Sequence, residues 1–377
     1  MNAVHPNATE IDPESAATDV AGLPSPLLGS CPLPIFEHKN IVLGHGSGGK
    51  LSAELIEKVF VSRFANPTLN RMNDSALLEI AGARLAFTTD SFVVTPIFFP
   101  GGDIGTLAVN GTVNDLAMAG AKPLYLSAAF ILEEGLAAAD LARVADSMQA
   151  AALKAGVQLV TGDTKVVNRG KGDQVFITTT GIGQVASDVQ LSADRARPGD
   201  KIIVSGYIGD HGITILSQRE NLEFEADLQS DCAALNGLVD AMFEEARLAG
   251  SPESIRCLRD PTRGGVASTL NEIAGRSGVG MMLEEDAIPV RDTVRGACEM
   301  LGLDPLYVAN EGKLLAVVAS DLAPRIFDRM KNHPLGSESR MIGQVMEAPR
   351  RMVLMKTSIG GTRVVDTLFG EQLPRIC

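Results

Sequence analysis

Asn110-Gly111-Thr112-Val113-Asn114-Asp115 lies within a run from Ile104 to about Ala119 whose apolar members, Leu107, Val109, Val113, Leu116 and Ala117, recur at helical spacing. Asn110 and Asn114 are four apart and share a face. Three oxygen-bearing side chains inside an apolar helix need partners, because an unpaired buried polar group costs about 1–3 kcal/mol. The partner is either a bound cation or ligand, or a cluster of hydrogen bonds to neighbouring elements.

Working outward from this helix, the chain alternates strands and helices. Leu77–Ile80 and Arg84–Asp90 read as strands about the turn Ala81–Ala83. Tyr125–Leu132 reads as a buried strand. Asp140 reads as the cap of a helix carrying Leu141, Val144, Met148 and Leu153 and closed by Gly156. The strand Val157–Val160 leads into Thr161-Gly162-Asp163-Thr164-Lys165 at its end, and Val175–Ile182 is a further strand.

A break reads at Arg197-Pro198-Gly199-Asp200. The second half restarts with strand Lys201–Ser205 and a glycine-rich loop to Gly212. A helix from about Ala233 to Ala249 follows, and Arg259-Asp260-Pro261-Thr262-Arg263-Gly264-Gly265 opens another. Asn310-Glu311-Gly312 precedes strand Leu314–Ala319. A hairpin, Met352–Thr357 and Thr362–Thr367, delivers the tail Leu373-Pro374-Arg375-Ile376-Cys377. The expected domains are a Pro-rich, disordered extension at 1–38, an α/β domain at 39–198, an α+β domain at 199–346, and a hairpin with mobile tail at 347–377.

Composition narrows the function classes. A net charge of −13 argues against non-specific attraction to nucleic acid or an anionic membrane. No apolar run approaches the length of a membrane span, and the first residues lack the pattern of a secretory signal. Five scattered cysteines without short metal spacing read as reduced thiols of a cytoplasmic protein.

Carboxylates recur at expected strand ends and turns: Asp90, Asp103, Asp115, Asp163 and Asp260. With glycine-rich loops beside several of them, they suit Mg²⁺ held together with substrate phosphates. Gly44-His45-Gly46-Ser47-Gly48-Gly49-Lys50 nearly fits a P-loop, but Leu51 stands where Ser or Thr is required. Its glycines still permit close approach of backbone N–H groups to an anion. Lys165 neutralises phosphate charge or is merely solvated, and Glu311 is a general base or a turn residue. Cys377 has no chain beyond it to hinder approach. Pro374 holds the residues before the thiol extended, so that Gly370–Cys377 can reach roughly 25 Å.

The Gly44–Lys50 loop, Thr89-Asp90-Ser91-Phe92, Thr112–Ala117, Gly162–Lys165, Arg259–Gly265 and the terminal Pro374-Arg375-Ile376-Cys377 together resemble the HypE family of hydrogenase maturation proteins. That family belongs to the PurM-like (AIR synthetase-related) ATP-binding superfamily. The resemblance runs in order from about residue 40 to the last residue. It implies a two-domain PurM-like fold: an N-terminal α/β domain that dimerises through its sheet, an α+β C-terminal domain, and ATP with Mg²⁺ near the dimer interface. It also implies a reaction. A HypF-like carbamoyltransferase loads Cys377, ATP drives dehydration of the carbamoyl group to a thiocyanate, and cyanide passes to a HypC–HypD-like iron carrier.

On this resemblance Asp90, Asp115 and Asp260 hold the metal. Gly46, Ser47, Gly48, Gly49, Lys50, Asn110, Asn114, Asp163, Arg263 and Gly264 hold the nucleotide. Cys377, Glu311, Lys165 and His45 carry the chemistry, and His211 is a secondary candidate for contacting the tail. Rival readings are a selenophosphate synthetase, a thiamine-phosphate kinase, and a scaffold docking by strand addition. The first would carry a reactive Cys or selenocysteine where His45 and Ser47 stand, and the second needs no terminal thiol.

Overall fold

The computed structural model describes residues 40–222, 228–368 and 376. The first half begins with a 3₁₀ turn at Leu43–Gly46, α1 (Lys50–Leu55), a π-helical turn at Ile56–Val61 and α2 (Ser62–Phe64). Strands β1 (Ala76–Ile80), β2 (Ala83–Phe92), β3 (Phe98–Phe99) and β4 (Gly102–Asp103) precede α3 (Ile104–Met118). β5 (Ala121–Glu133), α4 (Ala138–Ala155), β6 (Gln158–Val167) and β7 (Val175–Val185) complete it.

The larger sheet of this half runs β1-β2-β7-β5-β6. It is antiparallel except for the β5–β6 pair. α3 crosses one face, and α4 packs on α3. Among the described residues no element covers the opposite face. Phe87, Ile182 and Tyr125 lie side by side in register across β2, β7 and β5, and they remain 41%, 38% and 47% exposed. β5 is therefore half-buried rather than buried, because only its inward residues, such as Leu126 and Ala128, meet α3.

The second half contributes β8 (Lys201–Val204), α5 (Asp210–Glu220), α6 (Asn236–Leu248), β9 (Ile255–Arg259), α7 (Gly265–Ser277) and β10 (Gly280–Glu284). α8 (Asp292–Leu301), β11 (Leu315–Val318), α9 (Ala323–Lys331), β12 (Arg340–Met346), β13 (Val353–Lys356) and β14 (Thr362–Val364) follow. Its sheet runs β14-β13-β10-β12-β8-β11-β9. β11 is buried on both faces. Ala316 and Val318 pack towards α6 and α9, whereas Leu315 and Val317 pack towards α7.

α3 joins the halves. Leu116, Ala117 and Met118 share one apolar cluster with Leu235, Leu238 and Leu258 of the second half. A helix enclosed on all sides has apolar residues all round, and its polar residues Asn110, Thr112 and Asn114 are buried with them.

Two local expectations are corrected. Asp140 stands in the first turn of α4, and Ala137 is the N-cap. The Gly162–Lys165 motif lies within β6, because parallel pairing with β5 continues to Val167. Gly162 is required there, since a Cβ would come 2.3 Å from the Ala128 carbonyl oxygen.

Candidate active site

The glycine-rich loop of the first half meets the Arg259–Gly265 loop of the second over a cleft of about 810 Å³. Arg263 clasps the two together. Its Nη1 donates to the Gly46 carbonyl at 3.1 Å. Gly48, at φ +76°, lies so close that a Cβ would sit 2.7 Å from the Arg263 carbonyl oxygen.

Three elements carry the acids. Asp90 comes from β2, Asp115 from α3, and Asp260 from the turn after β9, and all line the cleft. Thr88 donates to Asp115 Oδ2 at 2.7 Å, and the Ser91 N–H donates to Asp90 Oδ1 at 2.7 Å. Burial raises the Asp115 carboxyl well above the usual range, and the charges of Asp260 and Asp90 push it further. Burial also raises Asp260, to about 6, and raises Asp90 against the opposing pull of Arg263. Desolvated carboxylates that repel one another form a site that wants positive charge. Among the described residues no three ligating side chains are already gathered for a metal. The donor set nevertheless fits Mg²⁺, which takes one or two carboxylates and fills its remaining positions with phosphate and water.

Glu311 forms part of the wall. It is buried, and among the described residues its Oε1 has no hydrogen-bond partner. Its backbone is fixed on both sides: its N–H donates to Asp231 Oδ1 at 3.1 Å, and its carbonyl accepts from Asn114 Nδ2 at 3.1 Å. Gly312 allows this packing, because a Cβ there would overlap the Asp231 carbonyl oxygen at 1.8 Å. Burial, then the charges of Asp231, Asp90 and Asp260, raise the Glu311 carboxyl well above its ordinary value.

The structure brings together His45, Gly46, Gly48, Gly49, Asp90, Asp115, Asp260, Arg263 and Glu311. The other candidates turn elsewhere. Ser47 Oγ donates to the Gly44 carbonyl at 2.8 Å, and Lys50 Nζ pairs with Asp366 at 2.7 Å on the surface. Asn110 Nδ2 meets Cys232 Sγ at 3.4 Å. Asn114 is consumed by the Ala233 and Glu311 carbonyls and the Leu235 N–H, so of the two partners open to it, the hydrogen-bond cluster holds. Gly264 is the left-handed N-cap of α7.

Asp163 and Lys165 pair at 2.7 Å, exposed on the open face of the sheet and outside the cleft of their own chain. Cys377 lies outside the described residues.

The sequence reading missed Asp74, Arg259 and Glu272, which also line the cleft. Buried Arg259 pairs with Asp74 and donates to Glu272 at 2.6 Å and to the Met72 carbonyl at 3.0 Å, pinning the segment before β1. The one signal available was Arg259 itself, a charged residue ending an apolar strand.

The two sheet-and-helix halves correspond to the two domains of AIR synthase related proteins. The model of that family's N-terminal domain matches residues 72–185, and the model of its C-terminal domain matches residues 197–356. A carbamoyl dehydratase HypE from Azotobacter vinelandii is 60% identical over 338 residues, covering 90% of this chain and 97% of the relative. A crystal structure of hydrogenase maturation protein HypE in complex with ATP is 53% identical with a TM-score of 0.74, covering 88% of this chain and 98% of that one. The HypE–HypF complex structure aligns at 47% identity and a TM-score of 0.78, covering 83% and 99%. The chain belongs to the HypE family of carbamoyl dehydratases.

Proposed function

We propose that the chain dehydrates a carbamoyl group carried on its own Cys377 at the expense of ATP, with Glu311 as the proton acceptor. The observation that carries this reading is the buried Glu311 carboxylate, whose Oε1 has no hydrogen-bond partner among the described residues, in the wall of a cleft that also presents Asp90, Asp115, Asp260 and Arg263. The carbamoyl oxygen is a poor leaving group. Transfer of the ATP γ-phosphoryl to that oxygen, with loss of one N–H proton to water, gives the O-phosphorylated Cys–S–C(=NH)–O–PO3 and releases ADP. Glu311 then takes the remaining N–H proton as the C–O bond breaks and phosphate departs, leaving Cys–S–C≡N.

A buried carboxylate with raised basicity is matched to a weak N–H acid. Phosphoryl transfer itself rests on positioning and charge stabilisation. Asp90, Asp115 and Asp260 would hold Mg²⁺, which supplies neutralisation of the nucleotide's phosphate charge. Gly46, Gly48, Gly49 and Arg263 line the same cleft and suit the phosphates. Ile56, Leu69 and Met72 add apolar lining suited to the base.

The open sheet face suits a second copy of the chain. Its Phe87, Ile182 and Tyr125 are exposed, and Asp163 and Lys165 lie on that same face, opposite Ala129 and Ile131 of β5. We place Lys165 of one protomer at the cleft of its partner, where it stabilises charge on the phosphorylated oxygen. Loading by a HypF-like carbamoyltransferase and delivery to a HypC–HypD-like iron carrier complete the sequence. A reducing, cytoplasmic setting agrees with the free thiols Cys232, Cys257 and Cys298.

Cys377→Ala is expected to abolish the cyano product while leaving ATP binding intact; a cyano adduct on this variant would refute the proposal. The trans site has its own test. In a mixture of Lys165→Ala and Glu311→Gln chains, heterodimers regain one complete site, restoring about a quarter of wild-type activity by statistical assembly of a two-fold dimer. No restoration would place Lys165 in its own chain's site or outside the mechanism.

A further inference from the structure

Asp231 stands in the segment Ser230–Leu235 that leads into α6, and it does not line the cleft. Its side chain is only 2% exposed. Both of its carboxylate oxygens meet one tripeptide, Glu311-Gly312-Lys313. Oδ1 accepts the Glu311 N–H at 3.1 Å, and Oδ2 lies 3.1 Å from the Lys313 ammonium. Lys313 Nζ also donates to the Gly312 carbonyl at 3.2 Å, so the lysine folds back over its own main chain. The carboxylate therefore clamps the tripeptide at both ends, and the glycine between them lets the two segments touch.

The segment that carries Asp231 is itself fastened to the first half of the chain. The Ser230 N–H donates to the Pro100 carbonyl at 2.9 Å. Asn114 Nδ2 donates to the Ala233 carbonyl at 3.0 Å, and Asn114 Oδ1 accepts from the Leu235 N–H at 2.8 Å. The same Asn114 amide donates to the Glu311 carbonyl at 3.1 Å. Asn114 directly precedes Asp115 on α3. One turn of α3 thus sets the place of Asp115, of the segment that holds Asp231, and of the Glu311 carbonyl.

Glu311 is fixed at its N–H by Asp231 and at its carbonyl by Asn114, while its Oε1 has no hydrogen-bond partner among the described residues. Burial pushes the Asp231 carboxyl up, but the Lys313 ammonium and the Glu311 N–H help to outweigh it and hold the group below its ordinary value. A hydrogen bond to an ionised acceptor is stronger and shorter than one to a neutral group. A buried ion pair is costly to desolvate, and an apolar pair of the same volume is often no less stable. Stability alone therefore does not account for Asp231 and Lys313.

We propose that Asp231 is a positioning residue for the dehydration: braced by Lys313, it grips the Glu311 main chain and holds the Glu311 carboxylate at the cleft in register with Asp115. The proposal rests on Glu311 being the proton acceptor for its purpose, but its geometry does not. Asp231 acts only through Glu311, so its loss lowers the rate at saturating ATP and leaves the apparent KM for ATP in place.

The test is single-turnover dehydration of the pre-carbamoylated protein over a range of ATP concentrations, read by intact mass. Asp231→Ala is combined with Lys313→Met so that no buried ammonium is left unpaired, and thermal melting checks the fold. This double variant should lose about 10²-fold in saturating rate, the loss that a misplacement of about 1 Å produces. Its KM for ATP should change by less than about twofold. Asp231→Asn keeps an oxygen that accepts the Glu311 N–H, and should recover to within about tenfold of wild type. In a Glu311→Gln background the double variant should cost nothing further, because residues that act as a unit are not additive. Amide hydrogen exchange supplies a readout that does not depend on turnover. The peptide covering 309–314 should exchange about tenfold faster in the double variant and near the wild-type rate in Asp231→Asn.

Unchanged exchange and unchanged saturating rate in the double variant overturn the proposal, as does an undiminished further loss in the Glu311→Gln background. Faster exchange in the double variant, together with wild-type dehydration by Glu311→Gln, upholds the grip of Asp231 on Glu311 and instead removes the reading of Glu311 as the base.

Discussion

The cleft and the open face of the first sheet carry the same kinds of residue in opposite electrostatic states. In the cleft, Asp90, Asp115, Asp260 and Glu311 are desolvated and pushed up. On the open face, Asp163 is held below its ordinary range, chiefly by its hydrogen bond to Lys165. Burial without enough counter-charge decides the first case, and an exposed neighbouring ammonium decides the second. The cleft is short of positive charge, and the open face holds a lysine already neutralised by its neighbour. On the proposed function each region is incomplete in a single chain: the cleft would take nucleotide and cation, and the open face a second protomer.

The largest consequence concerns the base. Glu311→Gln should retain carbamoylation of Cys377 but slow dehydration by about 10²–10⁴-fold. Unchanged formation of the cyano adduct would remove Glu311 from the mechanism and leave its burial unexplained. Next is the open face. Phe87→Glu or Ile182→Glu should weaken self-association at least about tenfold in sedimentation equilibrium, with activity falling in parallel. A monomeric variant of full activity would break the link between that face and the cleft. The smallest effect is on stability, and its sign separates the two regions. Asp115→Asn removes a repelled buried charge and should raise the Tm of the nucleotide-free protein by about 2–4 °C while lowering activity. Asp163→Asn, at a solvated pair, should move Tm by less than about 1 °C. Equal shifts in differential scanning calorimetry would contradict the contrast.

Much of this contrast was legible in the sequence, though unevenly. Asp90, Asp115 and Asp260 stood out as carboxylates at expected strand ends and turns, Glu311 as an acid between Asn310 and Gly312, and Arg263 through the family resemblance, and all five meet in the cleft. Asn110 and Asn114 broke context too, yet their partners are protein groups more than 110 positions away, which no local pattern reveals. The Arg259–Asp74 pair is hidden for the same reason, with 185 positions between its members. α5 escaped because Asp210-His211-Gly212-Ile213-Thr214-Ile215 alternates like a strand and is buried on nearly every side, so it shows no helical stripe. Asp163 and Lys165 read as the end of the strand Val157–Val160. In the fold Gly162 serves instead a close parallel strand, and the motif faces outward.

On the proposed function Cys377 carries the substrate and the cleft is its catalyst. Intact-mass spectrometry of the protein incubated with a carbamoylating partner and ATP tests this most directly. The prediction is a carbamoyl adduct at the C-terminal peptide that becomes lighter by one water only when ATP is present, and that stays unconverted in Glu311→Gln. A carbamoyl adduct that persists unchanged in the wild-type protein with ATP, or a loss of water that proceeds equally without it, would contradict the account.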